Sequence, residues 1–282
     1  LARARGARSR PRALVPGVAR ETVLEALHAG VLTLTLNRPA QKNAFNTVQW
    51  RELRDALRDA KASDAVRAVV LTGAGGAFSA GQDLSEMAQA TTAAAPAAGA
   101  GAHPFGEFLD ELCAFDKPLI AAVNGVAVGI GLTVLLHCDF AYVAEGARLR
   151  APFVTLGVVP EAAASHLLPL TIGWRNSFEL LYGDGWLSAA RAVELGLANA
   201  LCSPADVLSV AQAKAADLAA LPPEALRHTK RLLLATRDGE VRAARAREDA
   251  AFRVRVGSPE NIEAVRAFFE KRPPDFTKLA KS

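Results

Sequence analysis

Between Glu145 and Glu179 the chain carries a single acid, Glu161, set in the run Leu156-Gly157-Val158-Val159-Pro160-Glu161-Ala162-Ala163-Ala164-Ser165. A carboxyl stripped of water by such apolar and small neighbours gains a pKa in the range useful to a general base. A second reading competes with this one. Pro160 suits the first position of a helix, and an acid in a first turn is favoured by the helix dipole whatever the protein does. Two glycine-rich turns offer complementary chemistry: Ser79-Ala80-Gly81-Gln82-Asp83-Leu84 and Gly129-Ile130-Gly131-Leu132. Each follows an apolar run, so each can present a free backbone N–H, and two such donors make an oxyanion hole for an enolate oxygen. Losing one donor of that kind costs roughly 3 kcal/mol of barrier. Tight packing is the plainer explanation of either turn. Neither has the Gly-Lys-Ser/Thr of a phosphate loop or a dinucleotide fingerprint.

The elements that must position these residues can be read in order. Val31 to Leu36 alternates large apolar residues with Thr, as a strand does. The loop Asn37 to Asn46 leads to Thr47 as a helix N-cap, and Leu53, Ala56, Leu57 and Ala60 give a helical stripe from Val48 to Lys61. Ala68 to Gly73 is a buried strand, completing a strand-helix-strand crossover. The segment Ala88 to Ala102, nearly all Ala, Thr, Gly and Pro, reads as a low-complexity surface loop. A helix is expected from His103 to Phe115, a buried strand from Leu119 to Val123, a helix from Leu132 to His137 and a strand from Phe140 to Ala144. Helices then follow at Ser165 to Leu170, Trp174 to Tyr182 and Ser188 to Leu195, with Ser188 as a cap. Leu197 to Cys202 is strand-like. From Asp206 onward the chain is helical, broken at Leu221-Pro222-Pro223, Gly257-Ser258-Pro259 and Arg272-Pro273-Pro274.

Composition narrows the function classes. The 282 residues are 51% hydrophobic, enough for a substantial core, and no apolar run has the unbroken length of a membrane span. The net charge of +4 owes much to Arg3, Arg5, Arg8, Arg10 and Arg12, with no acid before Glu21. The body is therefore near neutral, which argues against a nucleic-acid surface. Cys113, Cys138 and Cys202 are odd in number and far apart, and the five histidines lack metal-ligand spacing, so neither disulfides nor a metal site is expected.

Four segments in the right order, Asn37 to Asn46, Phe78 to Leu84, Lys117 to Gly125 and Cys138-Asp139, resemble the crotonase, or enoyl-CoA hydratase/isomerase, superfamily, with likeness from about Glu21 to Phe269. The resemblance implies an α/β fold of repeated ββα units in two roughly perpendicular sheets, at residues 21–204. It implies a C-terminal helical region, 205–282, that drives trimers or hexamers, after a basic extension at 1–20. It also implies an acyl-CoA substrate and no cofactor. With a near-neutral body and no apolar run of membrane-spanning length, no nucleic-acid or membrane partner is expected, and the expected setting is cytoplasmic, with mitochondrial as the alternative because of the arginine-rich start. By the same resemblance the oxyanion donors are the N–H groups of Gln82 and Ile130. Lys42 and Ala44 fall where the family contacts CoA, with Ala80, Gly81, Asp83, Leu84, Gly129, Phe153 and Val158 along the substrate. Hydratases of this family use two glutamates; Thr133 and Phe153 stand at those positions, and neither is an acid or base. Glu161 instead matches the single glutamate of peroxisomal-type Δ3,Δ2-enoyl-CoA isomerases. The position also matches the aspartate of ring-opening, oxepin-forming isomerases. The implied activity is a 1,3-proton shift that moves a 3-enoyl-CoA double bond to the 2-trans position. Another crotonase-type activity (ring isomerase, hydratase or hydrolase) and a non-catalytic acyl-CoA-binding role are the competing expectations.

Overall fold

The fold is given by a computed structural model that describes residues 20–92, 104–183 and 185–279. The expected basic extension lies outside the described residues except for Arg20, as does His103. The chain opens with an antiparallel hairpin of β1 (Val23–His28) and β2 (Val31–Leu36). It continues through α1 (Thr47–Ala62), β3 (Ala68–Gly73), β4 (Ala77–Ser79), α2 (Leu84–Thr92) and α3 (Pro104–Cys113). Next come β5 (Leu119–Val123), β6 (Val126–Val128), the short α4 (Ile130–Thr133), β7 (Phe140–Ala144) and β8 (Arg148–Arg150). After these lie α5 (Ala164–Ile172), α6 (Trp174–Tyr182), β9 (Leu187–Ser188), α7 (Ala189–Glu194) and β10 (Ala200–Cys202). Four helices close the described chain: α8 (Val207–Ala219), α9 (Pro223–Ala235), α10 (Asp238–Arg255) and α11 (Pro259–Phe269).

Two sheets result. The larger has the order β1-β2-β3-β5-β7-β10, parallel except at the β1-β2 hairpin; the smaller has the order β4-β6-β8-β9, parallel except at β8-β9. Every residue of β3 and β5 is buried, which is why they read as continuous apolar runs. Trp50, Leu53, Ala56, Leu57 and Ala60 of α1 face that core, while α8 lays Val207, Ala211 and Ala215 into the same apolar cluster. No described helix is long and apolar enough to cross a membrane.

Several expectations are corrected. Asn46, not Thr47, caps α1: its side chain accepts from Gln49 N–H at 2.9 Å. The segment expected as a loop from Ala88 is helical as far as Thr92, because Ala, Gln and Thr extend the turn begun at Leu84; its remainder lies outside the described residues. The helix expected from Leu132 starts earlier, at Ile130, and tightens to a 3-10 turn over Val134–His137. Strand character is confined to Ala200–Cys202, and the C-terminal helices carry an unforeseen break at Thr236-Arg237. Strands β1, β4, β6, β8 and β9 were not anticipated from the residue pattern.

Asn43 ties the first loop to the sheets. Its buried amide donates to the carbonyls of Ala74 (2.9 Å) and Ala77 (2.8 Å) and accepts from Arg38 N–H (2.9 Å). Removing it strands three backbone groups, that of Ala77 buried and those of Arg38 and Ala74 partly so. Asn43→Ala is expected to cost about 3 kcal/mol of stability, read as a lower urea midpoint at unchanged slope.

Candidate active site

The two glycine turns leave the same ends of neighbouring parallel strands, β4 and β6. They touch. A Cβ on Gly81, which sits at φ +88°, would lie 2.7 Å from the Val128 carbonyl oxygen, and one on Gly131 would lie 2.7 Å from the Ser79 carbonyl oxygen. Only glycine permits this approach, so the packing explanation holds for both turns, and it sets the two turns side by side. Phe45 pairs across the first turn, donating its N–H to Gly81 O (2.7 Å) and accepting from Asp83 N–H (2.9 Å). The alternation of a strand then aims the intervening Gln82 N–H away from Phe45, and it has no backbone partner among the described residues. The Gln82 side chain is held by Trp50, whose indole donates to its Oε1 at 3.1 Å and stacks on Phe45 at 4.0 Å. In the second turn Gly129 takes φ +54° and starts α4, leaving Ile130 N–H without a backbone partner among the described residues.

Two further expected site residues, Lys42 and Ala44, lie in the loop that precedes α1. Lys42 is exposed at φ +49°, and its carbonyl accepts from Ala80 N–H at 2.9 Å; Ala44 is buried beside it, its carbonyl taking a bond from Arg38. The Asp83 carboxylate is committed to the protein: it accepts from Arg38 (3.0 Å) and from the Ser85 N–H (3.1 Å) and hydroxyl (2.5 Å). Burial works against its charge, but the bonds from Ser85 and Arg38 outweigh that and hold its carboxyl below the usual range. Leu84 begins α2. Phe153 and Val158 are buried, linked by Val158 N–H to Phe153 O at 2.9 Å. Thr133 is fully buried with no partner for its hydroxyl among the described residues.

Glu161 is not a helix cap. The first residue of α5 is Ala164, and the chain reaches it through Ala162 and Ala163, both at φ +59°. Left-handed backbone at a residue with a Cβ costs on the order of 1 kcal/mol each, so outside contacts must hold the pair. They come from two sides. The Glu248 carboxylate, from α10, accepts Ala163 N–H at 2.7 Å and Ser165 N–H at 2.8 Å. His137 Nε2 lies 2.8 Å from the Ala162 carbonyl, which makes it the N–H nitrogen and leaves Nδ1 to face the Cys113 thiol at 3.8 Å. Burial lowers the His137 pKa to about 4, so the ring stays neutral. The Glu161 carboxyl itself has no hydrogen bond or ion pair among the described residues. Burial, reinforced by the nearby charges of Glu248 and Asp249, raises its pKa to about 8. An acid so placed takes up a proton near neutrality and can return it.

The sequence matches the enoyl-CoA hydratase/isomerase family over residues 26–279, almost the whole described chain. The chain belongs to that family. Enoyl-CoA delta isomerase 2 of Rattus norvegicus is 32% identical over 89% of this chain, which spans 64% of that protein. The 1,2-epoxyphenylacetyl-CoA isomerase of Escherichia coli K12 is 33% identical, with 91% of this chain and 98% of that one covered. A crystal structure of an enoyl-CoA hydratase/isomerase from Pseudoalteromonas atlantica T6c superposes with a TM-score of 0.84 at 37% identity, over 90% of this chain and 99% of that chain. Other relatives of similar identity are named hydratases. The two-sheet crotonase architecture expected from the sequence is thereby established.

Sequence reasoning missed Glu248 and His137. Glu248 sits among Arg245, Arg247, Asp249 and Arg253 on a charge-rich helix, where nothing local marks it as buried. The five histidines, none with metal-ligand spacing, do not single out His137 by residue type; its place at the end of the turn that follows Ile130 was the available signal.

The raised pKa of Glu161 has a sign. Between about pH 4.5 and about pH 8 the folded state holds a proton that the unfolded chain releases, so the residue lowers stability as pH rises through that window. Glu161→Gln removes the effect. The variant is expected to match the parent's melting temperature near pH 4.5 and to exceed it by about 3 °C or more at pH 8.5, measured by calorimetry.

Proposed function

We propose that this protein is an acyl-CoA isomerase that moves the double bond of a 3-enoyl thioester to the 2-trans position, with Glu161 as the single proton carrier. The observation that carries the reading is a half-buried carboxyl of raised pKa with no partner among the described residues, with Thr133 and Phe153 where a hydratase would need two glutamates. In this reading the thioester oxygen lies between Gln82 N–H and Ile130 N–H. Their donors stabilise the charge that develops there when Glu161 removes a C2 proton. The dienolate then takes the proton back at C4 from the same carboxyl, and one acid suffices because nothing is added to the substrate. Phe153, Val158 and Val159 form the apolar wall that keeps water from the dienolate. Lys42 and Ala44 take the CoA end, and the remaining turn residues, Ala80, Gly81, Asp83, Leu84 and Gly129, shape the channel between them. Every acid, base and donor in this scheme is a protein group, and the CoA thioester is the substrate, so no cofactor enters.

The same reading includes self-association into trimers or hexamers. Leu232, Leu233 and Val254 on the C-terminal helices are each more than two-thirds exposed, which supports a face meant for further copies of the chain. Three free cysteines are compatible with the cytoplasmic placement, and a mitochondrial one is the alternative. The Escherichia coli relative's name favours one second reading, an isomerase acting on a cyclic or aromatic acyl-CoA; it would use the same carboxyl.

With 3-hexenoyl-CoA, the conjugated 2-enoyl chromophore is expected to form, and Glu161→Gln to slow it by about a thousandfold. Because the base must be ionised in the free enzyme, kcat/KM is expected to rise about tenfold per pH unit from pH 5 to 7 and to level off above about pH 8. A variant of undiminished rate, or hydration of 2-hexenoyl-CoA faster than isomerisation, would remove the proposal.

A further inference from the structure

We propose that Glu248 is a positioning residue for Glu161: reaching from α10 to the start of α5, it sets the two left-handed residues that aim the proton-carrying carboxyl. The inference rests on the reading of Glu161 as proton carrier. It starts from an oddity of the backbone. Ala162 and Ala163 adopt a conformation that suits glycine, and Ala163 stands at the N-cap of α5 with a side chain that cannot cap. A Ser, Asp or Asn there would satisfy the helix locally. Instead the cap arrives from 85 positions away in sequence, as two carboxylate oxygens each taking one N–H, at 2.7 and 2.8 Å.

This arrangement constrains direction as well as stability. Bonds to Ala163 N–H and Ser165 N–H fix the far side of the turn, while His137 fixes its near side through the Ala162 carbonyl. Glu161 is attached directly to that clamped segment, and its own carbonyl accepts from Ala164 N–H at 3.0 Å. Little freedom is left to the backbone that carries the acid, while the side chain itself is left unbound. Around the turn stand Glu248 and Asp249 from α10, neutral His137 with Arg237 and Arg245 behind it, and His166 further along α5. Both oxygens of Glu248 accept N–H bonds, as an ionised carboxylate does. Its closeness also adds to the raising of the Glu161 pKa, besides holding the backbone that carries it.

A residue that only caps α5 would change melting temperature and leave turnover alone. A positioning residue changes turnover. In the full chain assayed with 3-hexenoyl-CoA, Glu248→Gln is expected to lower kcat about a hundredfold with KM within about threefold, because the substrate still binds while the acid is misplaced. Glu248→Asp, which keeps both oxygens on a shorter arm, is expected to recover part of the loss. His137→Gln attacks the other side of the turn and serves if the Glu248 variants do not fold; it is expected to lower kcat in the same way. Combining Glu248→Gln with Glu161→Gln is expected to add less than about twofold to the loss from Glu161→Gln alone, since the first residue acts through the second. Retained kcat in Glu248→Gln and His137→Gln, or a multiplicative double variant, overturns the proposal. A second readout does not depend on activity: crystal structures of the parent and Glu248→Gln, with Ala162 and Ala163 expected to leave positive φ in the variant. If the parent does not isomerise 3-hexenoyl-CoA, the assigned activity fails, and these structures still decide whether Glu248 sets the turn.

Discussion

The Glu161 carboxyl has no partner among the described residues, and the turn that carries it is held through its backbone from distant parts of the chain. The turn from Pro160 to Ser165 gives its backbone N–H and C=O groups to other segments while giving the Glu161 side chain nothing. Those segments come from far apart in the chain. The 3-10 turn at Val134–His137 supplies an imidazole, and α10 supplies a carboxylate. From α11, Asn261 donates to the Leu156 carbonyl at 2.8 Å and stiffens the approach to the turn. The C-terminal helices therefore do more than cover apolar surface; two of them fix the loop that carries the acid.

The side of the two glycine turns obeys a different constraint, the close approach of two backbones. Strands β4 and β6 have only three residues each, too few for side-chain packing to hold the pair in register. Hydrogen bonds from side-chain amides do that work. Asn43 stitches the turn between β3 and β4 from one side, and Asn124 donates to Gly73 and Gly75 carbonyls from the other, both at 2.9 Å. With the strands so fixed, the residues just beyond them, Gln82 and Ile130, keep their N–H groups out of the ladder. The donors are free because of where the strands end.

How much of this was legible depended on the length of each signal. The larger sheet was readable wherever burial on both faces produced an apolar run, as in β3, β5 and β7. Edge strand β1 was not, since Leu24 and Ala26 face outward while Glu25, on the inner side, pairs with Arg20, so its apolar residues do not alternate. The smaller sheet left no pattern, because two or three residues have no period. Glu161 and the two glycine turns were visible as local anomalies of composition. The positive φ of Ala162 and Ala163 was not, since alanine there predicts helix; tertiary bonds from residues 137 and 248 overrule that preference. The placement of Pro160 at a helix start failed for the same reason.

Two glutamates around one turn show how environment divides roles between identical side chains. Burial pushes the pKa of Glu248 up, but bonds from Ser165 and Ala163 pull it back and fit the carboxylate form. Glu161 receives no such bonds, and Glu248 adds repulsion to its burial, so its pKa reaches about 8. One carboxyl is tied by two N–H groups at the head of a helix, where the dipole favours its charge against the burial that raises its pKa. The other is left able to exchange its proton near neutral pH. The division follows from the turn itself: left-handed residues at 162 and 163 direct the N–H groups of Ala163 and Ser165 toward α10 and away from residue 161. Were those two residues to relax to ordinary helix, Glu161 would lie in the first turn of α5, where the free N–H groups of the helix start lower a carboxyl's pKa instead of raising it. The strained backbone is thus the physical reason that the two carboxyls meet such different surroundings.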